Sequence, residues 1–451
     1  MQRRSSKERV LLIGGGAREH AIGEALCKGG QVELLTIAHN ENPGLKELSR
    51  EFSKQEETDA GRIVDWAKEQ HVDYAVIGPE DPLAVGVPDA LDKAGIPSVG
   101  PKQQAAHVET SKVFLRGLIQ RHGIPGQVEY HHFNETRAVR EFLESSGREF
   151  AIKPVGPTAG KGVKVMGEHF ATLDEASRYA ESVIAEGIGG DEGVVLEERL
   201  IGEEFTLQAF VDGETVVPMP LVQDFKRALE GDRGPNTGGM GSYSQADGLL
   251  PFVSEGERDF ALDVLKRIVE ALRSDGITYR GVLYGQFIVT TDGVRLIETN
   301  ARFGDPEAMN VLPLLESDFV EICHAILEGR LQEADVRFAR KATVCKYVTP
   351  PGYGFEPKQG AIITLDEERL EGLPDVRRYF AKVERDEHHR LLTTTSRSIA
   401  FVGIAPSVEA AEVLVEEALV HVGGDYHVRH DIAKRAMLEA KAAKKHALSN
   451  A

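Results

Sequence analysis

Cysteine is scarce in this chain, with three in 451 residues: Cys27, Cys323 and Cys345. Their odd number and wide spacing exclude a disulfide scaffold or a zinc module, and fit free thiols in a reducing cytoplasm. Long apolar runs are missing too. None approaches the roughly 18 residues that span a bilayer, and the basic start leads only into the short run 10–13 before glycines, a strand rather than a signal-peptide core. Positive charge is in deficit, 53 Lys and Arg against 72 Asp and Glu, for a formal net charge of −19. Such a polyanion repels nucleic acid and anionic membranes. Internal repeats and low-complexity linkers are also lacking. What remains, 41% apolar and 28% charged residues, is an ordinary globular composition long enough for two to four structural units.

Three segments carry chemistry. Glu298 and Asn300 end the apolar run Leu296-Ile297 two residues apart. The two-residue period of a strand puts both side chains on one face. Arg302, Gly304, Asp305 and Glu307 follow at once. Oxygen ligands alternating on a strand, then a guanidinium, suit a magnesium ion bridging nucleotide phosphates. An edge strand with a polar turn is the plainer alternative, but the string is too ordered for one. In the second segment, Gln223-Asp224-Phe225-Lys226-Arg227 leads into Gly234-Pro235-Asn236-Thr237-Gly238-Gly239-Met240-Gly241. The glycines at 238, 239 and 241 let backbone approach an anion closely. The third, from Lys153 to Lys164, is a glycine loop between apolar runs; it lacks the Ser or Thr that a P-loop places after Gly-Lys. Alone it reads as a hairpin turn; in this company it reads as a flap over a triphosphate. Lys112, Lys153, Lys161, Lys226, Arg227 and Arg302 all fall in such motifs, so an acidic chain gathers cations where phosphate would bind.

The first hundred residues alternate strand (10–13, 32–38, 74–77) and helix (18–28, 63–69, 83–94), which predicts parallel βαβ units with ligands at the strands' carboxyl ends. Gly14 and Gly16 hint at a dinucleotide fingerprint, but Glu19 stands where the third glycine belongs, so NAD binding is not expected. Thr110-Ser111-Lys112 opens a helix to residue 122. Asp212-Gly213 and Asp292-Gly293 mark hairpins, the second bringing Gln286 toward Glu298. The expected division is 1–105, an α/β unit; 106–330, with a lid over about 125–198; 331–432, an α+β unit; and 433–451, an Ala- and Lys-rich helical tail with no assigned function.

In this order and spacing the three segments resemble the ATP-grasp enzymes, and among them the phosphoribosylamine–glycine ligase family. The resemblance runs from Gly14-Gly15-Gly16-Ala17-Arg18-Glu19-His20 through Gly78-Pro79-Glu80 and Thr110-Ser111-Lys112 to Val428-Arg429-His430-Asp431-Ile432. Its specific part is the pairing of the loop 234–241 with Arg302-Phe303-Gly304-Asp305-Pro306-Glu307. It implies a mixed α/β and α+β fold: an N-terminal parallel α/β domain, an ATP-grasp lid and central domain, and a small C-terminal α+β domain. It also implies ligation of glycine to 5-phosphoribosylamine in purine biosynthesis, through glycyl phosphate, with ATP and Mg2+ (or Mn2+) and no protein nucleophile. A cytoplasmic monomer or weak homo-oligomer, binding neither nucleic acid nor membrane, is expected.

By the same resemblance, Glu298 and Asn300 hold the metal, with Gln286 a further ligand. Lys112, Lys153 and Lys161 contact phosphates. Glu197, Glu198 and Leu200 form the adenine hinge, and either Glu203 or Glu204 takes the ribose hydroxyls. Arg302, Lys226, Asp224 and Asn236 carry the reaction. Arg227, Thr237, Gly238, Gly239, Gly304, Asp305 and Glu307 shape the glycine and acyl-phosphate pocket. Gly16, Arg18, Glu19, His20 and Glu80 face the phosphoribosylamine, although Glu80 reads equally well as a helix cap. Two departures from the family pattern stand out: prolines 154 and 157 stiffen the flap, and Phe225 replaces a usual histidine, removing a polar contact to substrate. The competing readings are another ATP-grasp ligase or carboxylase, and a catalytically silent nucleotide-binding regulator.

Overall fold

Buried apolar runs, Val-Leu-Leu-Ile at 10–13 and Tyr-Ala-Val-Ile at 74–77, form the centre of a parallel sheet. The computed structural model, which describes residues 7–156 and 162–449, orders its strands Glu51–Lys54, Val32–Ala38, Glu8–Ile13, Tyr74–Ile77 and Ser98–Val99. The strand order reverses beside Glu8–Ile13, so a crevice opens at the carboxyl ends, at Gly14 and Gly78. The single helix expected over 83–94 is two, Glu80–Ala84 and Val87–Lys93, broken where Gly86 adopts φ 78°. A helix not anticipated, Gln103–Thr110, ends against Ser111, whose hydroxyl accepts from Phe114 N (3.3 Å) and opens the expected helix Lys112–His122.

The lid is an antiparallel sheet ordered Tyr130–Phe133, Val194–Glu198, Phe150–Pro154, Lys164–Val165, backed by helices Thr136–Ser146 and Leu173–Ala185 around its own small core. The central sheet is also antiparallel, ordered Val216–Pro218, Glu203–Val211, Gly281–Thr290, Gly293–Asn300. One face, with Phe205, Leu207, Leu283, Phe287 and Leu296, is buried on helix Glu255–Ser274; the other is polar. A third sheet joins Gln223–Asp224 and Gly241–Ser244 to Ala342–Val348, Ile399–Ala405 and Val376–Phe380. The segment carrying Asp224 and the glycine loop is therefore built onto the sheet of the C-terminal third. No helix of the described residues is long and apolar enough to cross a membrane.

The tail is more than a frayed end. Helix Arg435–Ser449 returns to the central domain, where Lys441 pairs with Glu203 (3.2 Å) and Asp232 (3.1 Å), Lys444 with Glu203 (2.7 Å), and Lys445 with Glu257 (2.6 Å). Glu203 is buried, so deleting 435–451 strands its charge. That deletion is expected to cost about 2 kcal/mol, short of the cost of breaking a fully buried pair because Lys444 is half exposed. A thermal melt with an unchanged midpoint would reject this strap.

Candidate active site

The polar face of the central sheet is an array fixed by register. Thr206, Gln286 and Glu298 stand opposite one another across three strands, and Gln208, Tyr284 and Asn300 form the next row. Regular alternation would put Leu296 on the same face as Glu298. A bulge prevents this: Phe287 pairs with Leu296 and Gln286 with Glu298, so Ile297 is the extra residue. Leu296 turns into the core and Glu298 out to the site. The bulge's carbonyls are satisfied by fully buried Arg116, which donates to Leu296 O (3.0 Å) and Ile297 O (2.6 Å).

Arg116 also donates to Glu197 (2.8 Å), as does Lys153 (2.5 Å). Burial opposes the charge on Glu197, but Arg116 and Lys153 hold its pKa down at about 2. Arg116 thus ties Glu197 of the lid, and through it Lys153, both expected on the nucleotide, to the strand bearing Glu298. Lys112 reaches the carbonyls of Val155 (3.4 Å) and Gly156 (3.3 Å) at the root of the flap; burial lowers its pKa, and Glu298 is the foremost charge opposing that. Glu198 points elsewhere, accepting from Glu129 N (3.1 Å), and Leu200 is half-buried just past the strand. Lys161 lies outside the described residues.

Two of the three expected metal ligands suit a hard cation. Glu298 makes no hydrogen bond or ion pair among the described residues. The Asn300 amide, turned to satisfy its neighbours, donates its nitrogen to Glu109 Oε1 (3.0 Å) and Thr299 O (3.3 Å), leaving Oδ1 free. Gln286 stands in the same row: its nitrogen donates to Glu204 (3.0 Å), and its oxygen lies against the Thr206 (3.0 Å) and Tyr284 hydroxyls.

Beside this row lies a charged pocket. Lys226 pairs with Glu204 (3.0 Å) and lies 4.0 Å from Asp224. Burial pushes Asp224 up to about 7, with Glu307 and Glu204 adding to it against Lys226. Burial disfavours the Lys226 charge, yet Asp224 and Glu204 hold its pKa well above the ordinary lysine range. Glu204, not Glu203, is therefore the acid that faces the site. Glu307 lies against the same two hydroxyls, Tyr284 (3.0 Å) and Thr206 (3.2 Å), sharing their protons with Gln286, and a Cβ on Gly304 would lie 2.3 Å from its carboxylate. The glycine loop is pinned by the Thr237 hydroxyl, which donates to Lys226 O (2.8 Å) and accepts from Gly239 N (3.1 Å). Arg397, stacked on Tyr347, donates to Gly238 O (2.5 Å) and Asp305 Oδ2 (2.8 Å), while Tyr347 donates to Asp305 Oδ1 (2.6 Å). Asn236 and Arg227 line a cavity of about 540 Å³ with Lys164 and His169 of the lid and Tyr353 and Phe355. Phe225 is buried beneath Arg429 and Lys441.

Three family models match: the phosphoribosylglycinamide synthetase N domain over residues 8–109, its ATP-grasp (A) domain over 110–308, and its C domain over 343–435. The chain belongs to the phosphoribosylglycinamide synthetase family. A relative from Methanothermobacter thermautotrophicus, a phosphoribosylamine–glycine ligase, is 48% identical over 433 residues, 96% of this chain and 98% of that one. The ligase of Thermococcus gammatolerans is 46% identical, with 96% of each chain covered. The crystal structure of the Thermotoga maritima ligase superposes with a TM-score of 0.77 at 26% identity, over 94% of this chain and 99% of that one. The biotin carboxylase domain of a Hydrogenobacter thermophilus 2-oxoglutarate carboxylase, solved with MgADP, shares the fold with a TM-score of 0.74 at 16% identity, over 97% of this chain and 96% of that one.

In this member of the synthetase family a second charged cluster lies at the crevice of the parallel sheet. Arg302 pairs with Glu80 (3.2 Å) and Glu109 (3.0 Å), and Arg18 with Glu19 (2.6 Å) and more distantly with Glu80 (3.9 Å). Burial opposes the charge on Glu80, but Arg302 and Arg18 hold its pKa at about 2. Glu19 fills the crevice itself. Its carboxylate accepts from Gly16 N (2.7 Å), and Cβ atoms on Gly14 and Gly78 would lie 2.6 Å and 2.3 Å from its side chain. The helix start expected to offer N–H groups to a phosphate is thus already capped by a carboxylate. His20 also departs from expectation. Its ring accepts from Phe380 N (3.0 Å) and packs on Tyr379 and Phe380, and burial pushes its pKa down to about 3. It docks the C-terminal domain as a neutral imidazole.

Proposed function

We propose that this chain is an ATP-dependent ligase that joins glycine to 5-phosphoribosylamine, giving glycinamide ribonucleotide, ADP and phosphate, in purine biosynthesis. The observation that carries this is near-half identity over almost the full length of both chains to phosphoribosylamine–glycine ligases. Its complement is a polar sheet face whose candidate residues converge. A carbon–nitrogen bond formed from a carboxylate requires activation, and glycyl phosphate formed from ATP supplies it with no protein nucleophile.

A divalent cation held by Glu298 and Asn300 would neutralise the charge of bridging phosphates. Lys112 and Lys153 approach from the lid side, and Glu204 is placed for a ribose hydroxyl. Arg302, at the junction of the central and N-terminal domains, is placed to stabilise charge on the transferred phosphoryl and the acyl phosphate. Glu80 and Arg18 lie beside it, where the phosphoribosylamine would enter. Lys226 suits the carboxylate of glycine and Asp224 its ammonium, which must stay protonated so that it does not compete with the ribosylamine as nucleophile. A monomer or weak homo-oligomer acting in the cytoplasm on small molecules fits this reading.

Asp224 must be ionised to hold the ammonium. With its pKa raised to about 7, kcat/KM for glycine is expected to rise with pH up to about 7 and then level, falling toward tenfold per unit below. Asp224→Asn should erase that break and lower kcat/KM for glycine roughly tenfold to a hundredfold, the worth of a charged hydrogen bond. A wild-type profile flat from pH 5.5 to 8 would reject the role.

The function itself is tested by ADP release with Mg2+, ATP, glycine and phosphoribosylamine formed in situ from ribose 5-phosphate and ammonia, omitting one component at a time. Turnover that requires all of them, with glycinamide ribonucleotide seen by mass spectrometry, is the expected result. ATP turnover indifferent to glycine would reassign the substrate, and ATP binding without turnover would favour the silent regulator.

A further inference from the structure

Glu109 belongs to none of the sequence motifs, and nothing in the ligase reading so far uses it. It is the next-to-last residue of helix Gln103–Thr110, and its side chain is 7% exposed. Its two oxygens hold three consecutive residues of the site: Oε2 accepts from Ala301 N (2.6 Å), while Oε1 pairs with Arg302 (3.0 Å) and accepts from the Asn300 amide (3.0 Å). One residue earlier on the same helix, Val108 O accepts from the Thr299 hydroxyl (2.7 Å). The last turn of one helix therefore grips residues 299–302.

We propose that Glu109 is a positioning residue: it orients the Asn300 amide so that its oxygen, not its nitrogen, faces the cation position, and it fixes the Arg302 guanidinium for phosphoryl transfer. The inference rests on the ligase reading for Arg302's task, though not for the amide orientation. An amide has two nearly isosteric ends, and only its neighbours decide which one points where. Three N–H donors, from Asn300, Ala301 and Arg302, converge on the two carboxylate oxygens, and a carboxamide, with one oxygen and one N–H end, cannot satisfy all three. Outer partners that orient a metal ligand typically matter at the level of 10–100-fold in affinity or activity.

The test compares the wild-type chain with Glu109→Gln and with Glu109→Gln combined with Asn300→Asp. Glu109→Gln leaves one oxygen for three donors and removes the charge that anchors Arg302, so the Asn300 amide is no longer held with its nitrogen inward and its oxygen toward the cation position. Mn2+ affinity in the presence of ADP, read from the free-ion paramagnetic resonance signal, is expected to fall about tenfold or more. kcat should fall at least as far, with KM for glycine within about threefold. A carboxylate at 300 has oxygen at both ends, so the double variant should recover most of the Mn2+ affinity while kcat stays low, because Arg302 then keeps only Glu80 of its two carboxylate partners. Wild-type Mn2+ affinity in Glu109→Gln, or a loss the second substitution leaves untouched, would overturn the proposal. A thermal melt of each variant separates these outcomes from misfolding. Should the wild-type chain ignore glycine, the ligase reading falls while the Mn2+ comparison still decides the orienting role of Glu109.

Discussion

Arg302→Ala is expected to lower kcat by roughly a thousandfold while leaving ATP affinity within about threefold, the pattern of an interaction made chiefly in the transition state. The guanidinium is already held between Glu80 and Glu109, so no reorganisation is needed as phosphoryl charge develops. Alanine has a second effect. Burial already pushes Glu109 up to about 7, so without its cation Glu109 takes up a proton, whereas Glu80 loses the partner that does most to keep its pKa at about 2. The variant should therefore lose stability as well, by a few kcal/mol. Arg302→Lys keeps the charge but not the forked geometry. It should recover most of the stability and only part of the turnover, which separates the two roles. An effect of Arg302→Ala confined to the Michaelis constants would reject the transition-state assignment.

What the sequence conveyed about this site was local. Glu298 and Asn300 share a face because both lie past the bulge, where alternation is intact; the bulge left no readable mark, and a reading begun at Leu296 would have sent Glu298 into the core. Gly14, Gly16 and Glu19 were legible as a broken dinucleotide fingerprint, but only the fold shows Glu19 sealing the crevice that a pyrophosphate would need. The residues missed share one property. Arg116, Glu109 and Arg397 are single charged side chains in unremarkable stretches, and each acquires meaning from partners far away in the chain: Glu197, Ala301 and Asp305. Asp224 and Phe225 show the converse. Asp224 ends the edge strand of the third sheet beside Lys226, whereas Phe225, the next residue, packs beneath Arg429 and Lys441, so the histidine-to-phenylalanine departure falls among those side chains. The tail's alanines and lysines read as solvent helix because their acids, Glu203 and Glu257, lie in another domain.

Glu298→Gln should abolish ADP formation, lowering kcat by three orders of magnitude or more, while the folded structure persists. Stability is expected to hold because the Glu298 side chain has no ion pair or hydrogen bond among the described residues to lose; the isosteric change breaks no direct contact. Catalysis is expected to fail for two reasons that add. A neutral amide is a far poorer ligand than a carboxylate for a hard cation that prefers charged oxygen. The second reason is electrostatic. Glu298 is the foremost charge opposing the fall in the Lys112 pKa, and it also helps hold Lys226 charged. Its loss shifts Lys112 toward neutrality at the place proposed for phosphate. Glu298→Asp, which keeps the charge but shortens the reach, should restore the Lys112 contribution without restoring cation geometry. Its nucleotide affinity should then recover ahead of its kcat. Near-normal turnover of Glu298→Gln with an unchanged circular dichroism spectrum would remove this strand from the metal site altogether.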